Sequence, residues 1–227
     1  MAVRNGGTQN VQTPEGGWGP AASMRGERLS ERVADAIVNL IAQGHYQPGE
    51  RITEDDVASR LAVSRVPIRE AITTLEAQGI LVLSLNRGAR VAAFGESERR
   101  QVKEARIALE SIAARGAASA YRLRPELLER LDEVIFRMEL AARRDDWAAM
   151  RDCDVQFHRA LCEASGNTII LKLWEALSRH IAIIFGREIL TERDCGVVVD
   201  EHRRLLQVLR EGGDVEAAIH AHIMRLG

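Results

Sequence analysis

Apolar residues recur at three- and four-residue spacing along most of this chain, so its dominant element is the amphipathic helix. Leu29, Val33, Ile37, Leu40 and Ile41 form one such stripe and predict a first helix with a single buried face. Gln47-Pro48-Gly49-Glu50 then turns the chain. Thr53, with Asp56 three residues on, is an N-cap signal for a short helix that carries Val57 and Leu61 on its apolar edge. Ser64 caps a second helix whose Pro67 falls in the first turn, where a missing N–H costs nothing. At 100° per residue, Ile68, Ala71, Ile72 and Leu75 share one side of that helix, and Arg65, Val66, Arg69 and Thr73 fall on the other. Gly79 ends it as a C′ residue. The pattern then changes: residues 80–83 and 90–93 read as two short strands, with Asn86-Arg87-Gly88 as the turn between them.

From residue 97 the helical period returns in segments near 97–120, 125–143, 145–164, 168–190, 197–211 and 214–226. They are broken by Leu123-Arg124-Pro125, Arg144-Asp145, Ser165-Gly166-Asn167 and Gly212-Gly213. The fold class is mainly α: an N-terminal winged helix-turn-helix with a small β-wing over 25–94, then a C-terminal all-α bundle of about six helices over 97–227. Residues 1–24 are Gly-rich and polar without apolar period, which predicts a disordered arm.

Two short helices joined by a tight turn, the second with arginines on its free face, are the layout of a DNA reader. The guanidinium fork grips phosphate or the O6/N7 edge of guanine. The candidates are Ser64, Arg65, Val66 and Arg69 on the second helix. Arg87 and Gly88 at the wing tip, flanked by Arg90, are placed to reach phosphates or a minor groove. Helix-turn-helix geometry also occurs in proteins that never touch DNA, so the bland alternative is a solvated amphipathic helix with surface arginines.

Composition narrows the classes. A chain of 227 residues accommodates a reader of about 70 residues and a second core in the remainder. The formal net charge of −2 argues against a protein that coats nucleic acid, so any DNA affinity must come from a local arginine patch. Three cysteines are too few for a disulfide framework, and neither an 18-residue apolar run nor a secretory leader is evident. The expected setting is the cytoplasm, with no membrane partner.

In the helical half the polar groups that share a face are the candidates for chemistry. Asp154 and His158 lie one helical turn apart, the spacing of two ligands to one ion; His202 opens the fifth bundle helix, and His220 and His222 lie in the last. One carboxylate and three imidazoles suit Zn²⁺, with Ni²⁺ or Mn²⁺ as alternatives, and leave room for an anion. From the bare residues, a surface ion pair between Asp154 and His158 competes with this reading.

Three stretches resemble the N-terminal signature of GntR-family transcription regulators. They are Pro48-Gly49-Glu50-Arg51-Ile52, Leu61-Ala62-Val63-Ser64-Arg65-Val66-Pro67-Ile68-Arg69-Glu70-Ala71 and Leu75-Glu76-Ala77-Gln78-Gly79-Ile80. The resemblance implies operator contacts at Ser64, Arg65, Val66 and Arg69 and a wing contact around 86–88. The chain has Asp55 where some members carry an arginine, so that contact is not carried over. Glu104-Ala105-Arg106-Ile107-Ala108-Leu109-Glu110, Asp154-Val155-Gln156-Phe157-His158 and Glu201-His202-Arg203-Arg204-Leu205-Leu206 are similar to the FCD effector domain of the FadR subfamily. That resemblance implies metal ligands at Asp154, His158 and His202 and at one last-helix histidine, for which His222 leads and His220 is the alternative. It also points Arg106 at a cavity where its guanidinium takes an organic carboxylate; the competing role is a pair with Glu110 one turn away.

The expected function is a ligand-responsive, DNA-binding transcription regulator, a repressor in its simplest form. It would be a homodimer on a short inverted repeat of double-stranded DNA, tuned by a small carboxylic acid at a metal site. A metal sensor, in which the ion itself is the signal, is one alternative. A metal-dependent hydrolase is another, disfavoured because no general acid or nucleophile is evident beside the ligand set.

Overall fold

The computed structural model describes residues 22–84, 88–189 and 194–226. The chain begins there with α1 (Ala22–Ala42), β1 (Arg51–Ile52), α2 (Glu54–Leu61), α3 (Arg65–Ala77), β2 (Leu81–Ser84) and β3 (Gly88–Val91). It continues through α4 (Glu96–Leu123), α5 (Glu126–Ala142), α6 (Trp147–Ala164), α7 (Thr168–Ile189), α8 (Cys195–Glu211) and α9 (Val215–Leu226). The expected arm at 1–24 lies outside the described residues up to 21, and 22–24 already belong to α1, where Ala22 and Met24 favour helix.

Local chemistry sets the reader's turns. Thr53 Oγ1 accepts from the backbone N–H of Asp56 at 3.2 Å and caps α2. Ser64 stands at the N-cap of α3 in extended conformation but makes no side-chain cap bond. Between the two helices Ala62 takes a left-handed conformation, φ 52°, and its N–H returns to the Ala58 carbonyl at 3.0 Å. Gly79, φ 75°, closes α3, with the Ile80 N–H bonded to the Leu75 carbonyl at 2.9 Å. The wing strands are shifted by a residue or two from the expected 80–83 and 90–93. A third strand was not expected: β1 pairs with β3, giving the antiparallel order β1-β3-β2 with Ile52 opposite Ala89. Two residues carry no periodicity, so β1 has no sequence signal.

The helical half matches the six expected segments closely, with one correction. α8 starts at Cys195, capped by Asp194, whose Oδ1 accepts from the Gly196 N–H at 2.7 Å, so His202 lies two turns into the helix instead of opening it. Phe157, Leu131, Met138, Val198 and Ile219 are buried at the centre of this bundle.

The two halves share one helix. Ile183 and Ile184 of α7 are buried in the reader's own core with Ile37, Ile41, Ile68 and Leu75. Gly186 lets α7 come so close to α1 that a Cβ there would lie 2.8 Å from that of Ala42. The nearly buried Arg179 ties the same face. Its Nε donates to Asp35 Oδ1 at 3.0 Å and its Nη1 to Gln78 Oε1 at 3.2 Å, while Nη2 reaches Glu31.

Candidate metal centre and DNA-reading surface

α6 turns the face carrying Met150, Asp154, Phe157, His158 and Leu161 into the bundle. α8 presents His202 between buried Val198 and Leu206, and α9 presents His222 between Ile219 and Ile223. Asp154, His158, His202 and His222 are at most 2% exposed, and one ligand atom from each lies within 4.8 Å of the others. His158 Nε2 is 3.1 Å from His222 Nε2 and 3.8 Å from Asp154 Oδ1; His202 Nε2 is 3.3 Å from that same oxygen. His220, the alternative fourth ligand, is exposed on α9 and stays outside the cluster.

Such a set is costly in a dry interior unless a cation or shared protons satisfy it. Both Asp154 carboxylate oxygens, His202 Nε2 and His222 Nδ1 lack a hydrogen-bond partner. Two nitrogens bound to one tetrahedral Zn²⁺ at 2.0–2.1 Å sit roughly 3.4 Å apart, close to the spacing seen here. The donor set therefore fits a divalent ion. Burial works against ionising Asp154, but contact with His202 and the neighbouring His158 and Arg106 outweigh it and hold the carboxyl below its usual range. Burial, reinforced by His202, His158 and Arg106, pushes the His222 imidazole well below the ordinary histidine value, which keeps it neutral and able to coordinate.

A second layer orients the ligands. His202 Nδ1 is 2.8 Å from the Val198 carbonyl, which can only accept, so the proton sits on Nδ1 and the Nε2 lone pair faces the cluster. His158 Nδ1 lies 2.6 Å from Glu110 Oε2, although not aligned as a full hydrogen bond, with the same consequence. Glu110 is fully buried; its Oε1 accepts from Arg106 Nε and from Trp174 Nε1, each at 2.9 Å. Burial alone would raise the Glu110 pKa, but the charges of Arg106 and His158 outweigh it and the carboxyl stays well below its usual range. The pairing of Arg106 with Glu110 is thus formed, yet it leaves the buried Arg106 Nη2 without a partner.

On the reader, Ser64, Arg65, Val66 and Arg69 are all exposed along one side of α3, and Val66 keeps 65% of its surface open. Neither arginine hangs free. Arg69 holds Glu54 through two bonds, Nε to Oε1 and Nη2 to Oε2, both 3.1 Å, and Arg65 Nη2 lies 2.7 Å from Asp55 Oδ1. Arg87 lies outside the described residues. Gly88 opens β3 at φ 76°, where a Cβ would sit 3.3 Å from the Arg51 guanidinium. Arg90 does not extend outward; its Nη1 donates to the Gly49 carbonyl at 2.8 Å. Sequence reasoning missed Glu54 and Trp174, since each makes its contact, with Arg69 and with Glu110, only across the fold.

Comparison with known proteins agrees with both halves. Residues 29–91 match the family model for bacterial regulatory proteins of the gntR family, and residues 101–225 match that of the FCD domain. The probable D-xylose utilization operon transcriptional repressor of Paenarthrobacter nicotinovorans is 31% identical over 195 residues, covering 85% of this chain and 83% of that protein. The Nta operon transcriptional regulator of Aminobacter aminovorans is 30% identical over 189 residues, covering 80% and 84%. Two solved structures share the fold. McbR/YncC of E. coli has a TM-score of 0.74 at 19% identity over 87% of this chain and 94% of that one. A putative transcriptional regulator GntR from Rhodococcus sp. RHA1 has a TM-score of 0.67 at 22% identity over 90% and 99%. These relatives are transcription regulators, which sets the hydrolase reading aside. With a winged reader in front of a six-helix domain and both family models matched, the chain belongs to the GntR family of DNA-binding transcription regulators and carries a C-terminal FCD domain.

Proposed function

We propose that this regulator is a repressor whose hold on its operator is set by a small carboxylic acid bound at a metal ion in the helical domain. The observation that carries the reading is the buried convergence of Asp154, His158, His202 and His222 within 4.8 Å, with lone pairs left unmatched. Zn²⁺ suits three imidazoles and one carboxylate, and Ni²⁺ or Mn²⁺ accept the same donors. Arg106 supports a carboxylate ligand, because its buried Nη2 has donors and no acceptor. The relatives are named for different operons, so the acid is identified by its chemistry alone.

The reader residues are Ser64, Arg65, Val66 and Arg69 in a major groove, with the wing around Arg87 and Gly88 against the neighbouring backbone. Two copies address an inverted repeat. Pairing through the helical half is supported by Ile112 of α4 and by Ile169 and Leu173 of α7, large apolar residues left exposed on helices that pack together. No described helix is long and apolar enough to cross a membrane. Control is linkage: an acid that binds one arrangement of reader and bundle better shifts DNA affinity by the same coupling energy, typically ~1–3 kcal/mol.

The test is elemental analysis of the purified protein, followed by thermal-shift screening of carboxylic acids with and without chelator and by DNA binding in the presence of each hit. A bound divalent ion and an acid response that chelator abolishes are expected. A protein that takes up no metal, or whose DNA affinity answers to the ion alone, would overturn the carboxylate reading; the second result would make it a metal sensor.

A further inference from the structure

Glu54 and Asp55 are the first two residues of α2, and their charge there is accounted for by the helix N-terminus. The N-terminus does not account for where their oxygens go. Glu54 sends both of them across the turn to Arg69, fifteen residues on, in a parallel two-bond fork. An exposed pair adds little to folding stability, so the consequence of this fork is geometric. An arginine guanidinium has two edges with paired N–H donors, the Nε/Nη2 side and the Nη1/Nη2 end. Glu54 occupies the Nε/Nη2 side, which leaves the Nη1/Nη2 end edge of Arg69 unused by the carboxylate, and that end edge matches guanine O6 and N7. The Asp55 contact differs, since it meets Arg65 at the single nitrogen Nη2 and fixes no plane.

Resting on the reading of α3 as the major-groove helix, we propose that Glu54 is a positioning residue for base readout: it locks the Arg69 guanidinium so that the open edge reads a guanine. The hydrogen bond from Arg69 holds the Glu54 carboxyl below its ordinary range, so both partners are charged wherever DNA binding is measured. A carboxylate beside the groove also repels phosphate. Glu54 thereby weakens binding to arbitrary duplex while strengthening binding to the right one, and specificity is that difference.

The experiment uses the full chain and a duplex selected by it from a random pool, with every single-base variant of that duplex and a scrambled duplex as comparison, all at one salt concentration. Arg69→Ala is expected to erase the preference for one G·C pair in each half-site. Glu54→Ala is expected to lose about tenfold on the selected duplex, at that same base pair, and to bind the scrambled duplex as tightly as the parent or tighter. Combined with Arg69→Ala it should cost nothing further. Glu54→Gln, which keeps one acceptor oxygen, should fall between parent and Glu54→Ala, while the melting temperature of all three stays the same. If Arg69→Ala erases the preference and Glu54→Ala leaves it intact, or if the two losses add, the positioning role is wrong and the reader assignment stands. If Arg69→Ala itself changes neither affinity nor preference, both fall.

Discussion

Single residues show where sequence spacing was enough and where it was not. Asp154 and His158 share a face because they lie four apart on one helix, a relation visible without a structure. The choice between His220 and His222 was not visible in that way, because two residues on a helix point about 200° apart and only the packing of α9 selects one. His222 is buried in the cluster and His220 is exposed. His222→Ala is therefore expected to strip the ion and lower the melting temperature, and His220→Ala to leave both unchanged; metal content and thermal shift on the two variants check this. The pH dependence follows from the same burial. The pKa of His222 in the fold lies well below its unfolded value near ~6.5, so on acidification the unfolded chain takes up a proton that the folded chain refuses. Stability of the chelator-treated protein should thus fall as pH drops below ~6.5, with His180, also lowered by burial, adding the same sign. The depressed carboxyls of Glu110 and Asp154 lose their contribution only at more acid pH, below the ordinary carboxylate range. Denaturant midpoints between about pH 5 and 8 that rise on acidification would contradict this assignment.

Elements were legible in proportion to their length and to how local their signals are. The six bundle helices run to more than three turns each, and α4, α6 and α8 are followed within two residues by Pro or Gly, so their bounds differ from the expected ones by few residues. β1 is two residues long and exists only because β3 offers it a partner. α3 was legible in both faces, with Ile68, Ala71, Ile72 and Leu75 buried and Arg65 and Arg69 exposed. This division carries a prediction. Replacing Arg65 or Arg69 by Ala removes side chains that pack against nothing in the core, so the melting temperature should hold while affinity for a selected duplex drops about tenfold or more. Parallel thermal melts and duplex titrations at matched salt separate the two effects. Equal affinity for parent and both variants would remove α3 from the groove.

At the scale of the whole molecule, a division into two consecutive domains describes the chain but not the solid object. α7 belongs by sequence to the bundle, yet it places Ile183 and Ile184 in the reader's core and clamps α1 and the end of α3 through Arg179. Nothing in its apolar period distinguishes the half that faces the bundle from the half that faces the reader, because both are simply buried. Near its other end, Trp174 donates to Glu110, the carboxylate that also contacts His158 and Arg106. One helix thus contacts both Glu110, behind the candidate metal centre, and the reader, so a shift of Glu110 on metal or acid binding is expected to be felt at Arg179, five residues beyond Trp174. Arg179→Ala should uncouple them. Metal content and the affinity for the carboxylic acid without DNA are expected to match the parent, since Arg179 is outside the cluster. The factor by which that acid changes DNA affinity should fall toward one, from the roughly 5- to 150-fold that couplings of ~1–3 kcal/mol give. Loss of thermal stability with the factor unchanged would show that the clamp only joins the halves, and that the signal leaves the metal centre by another helix.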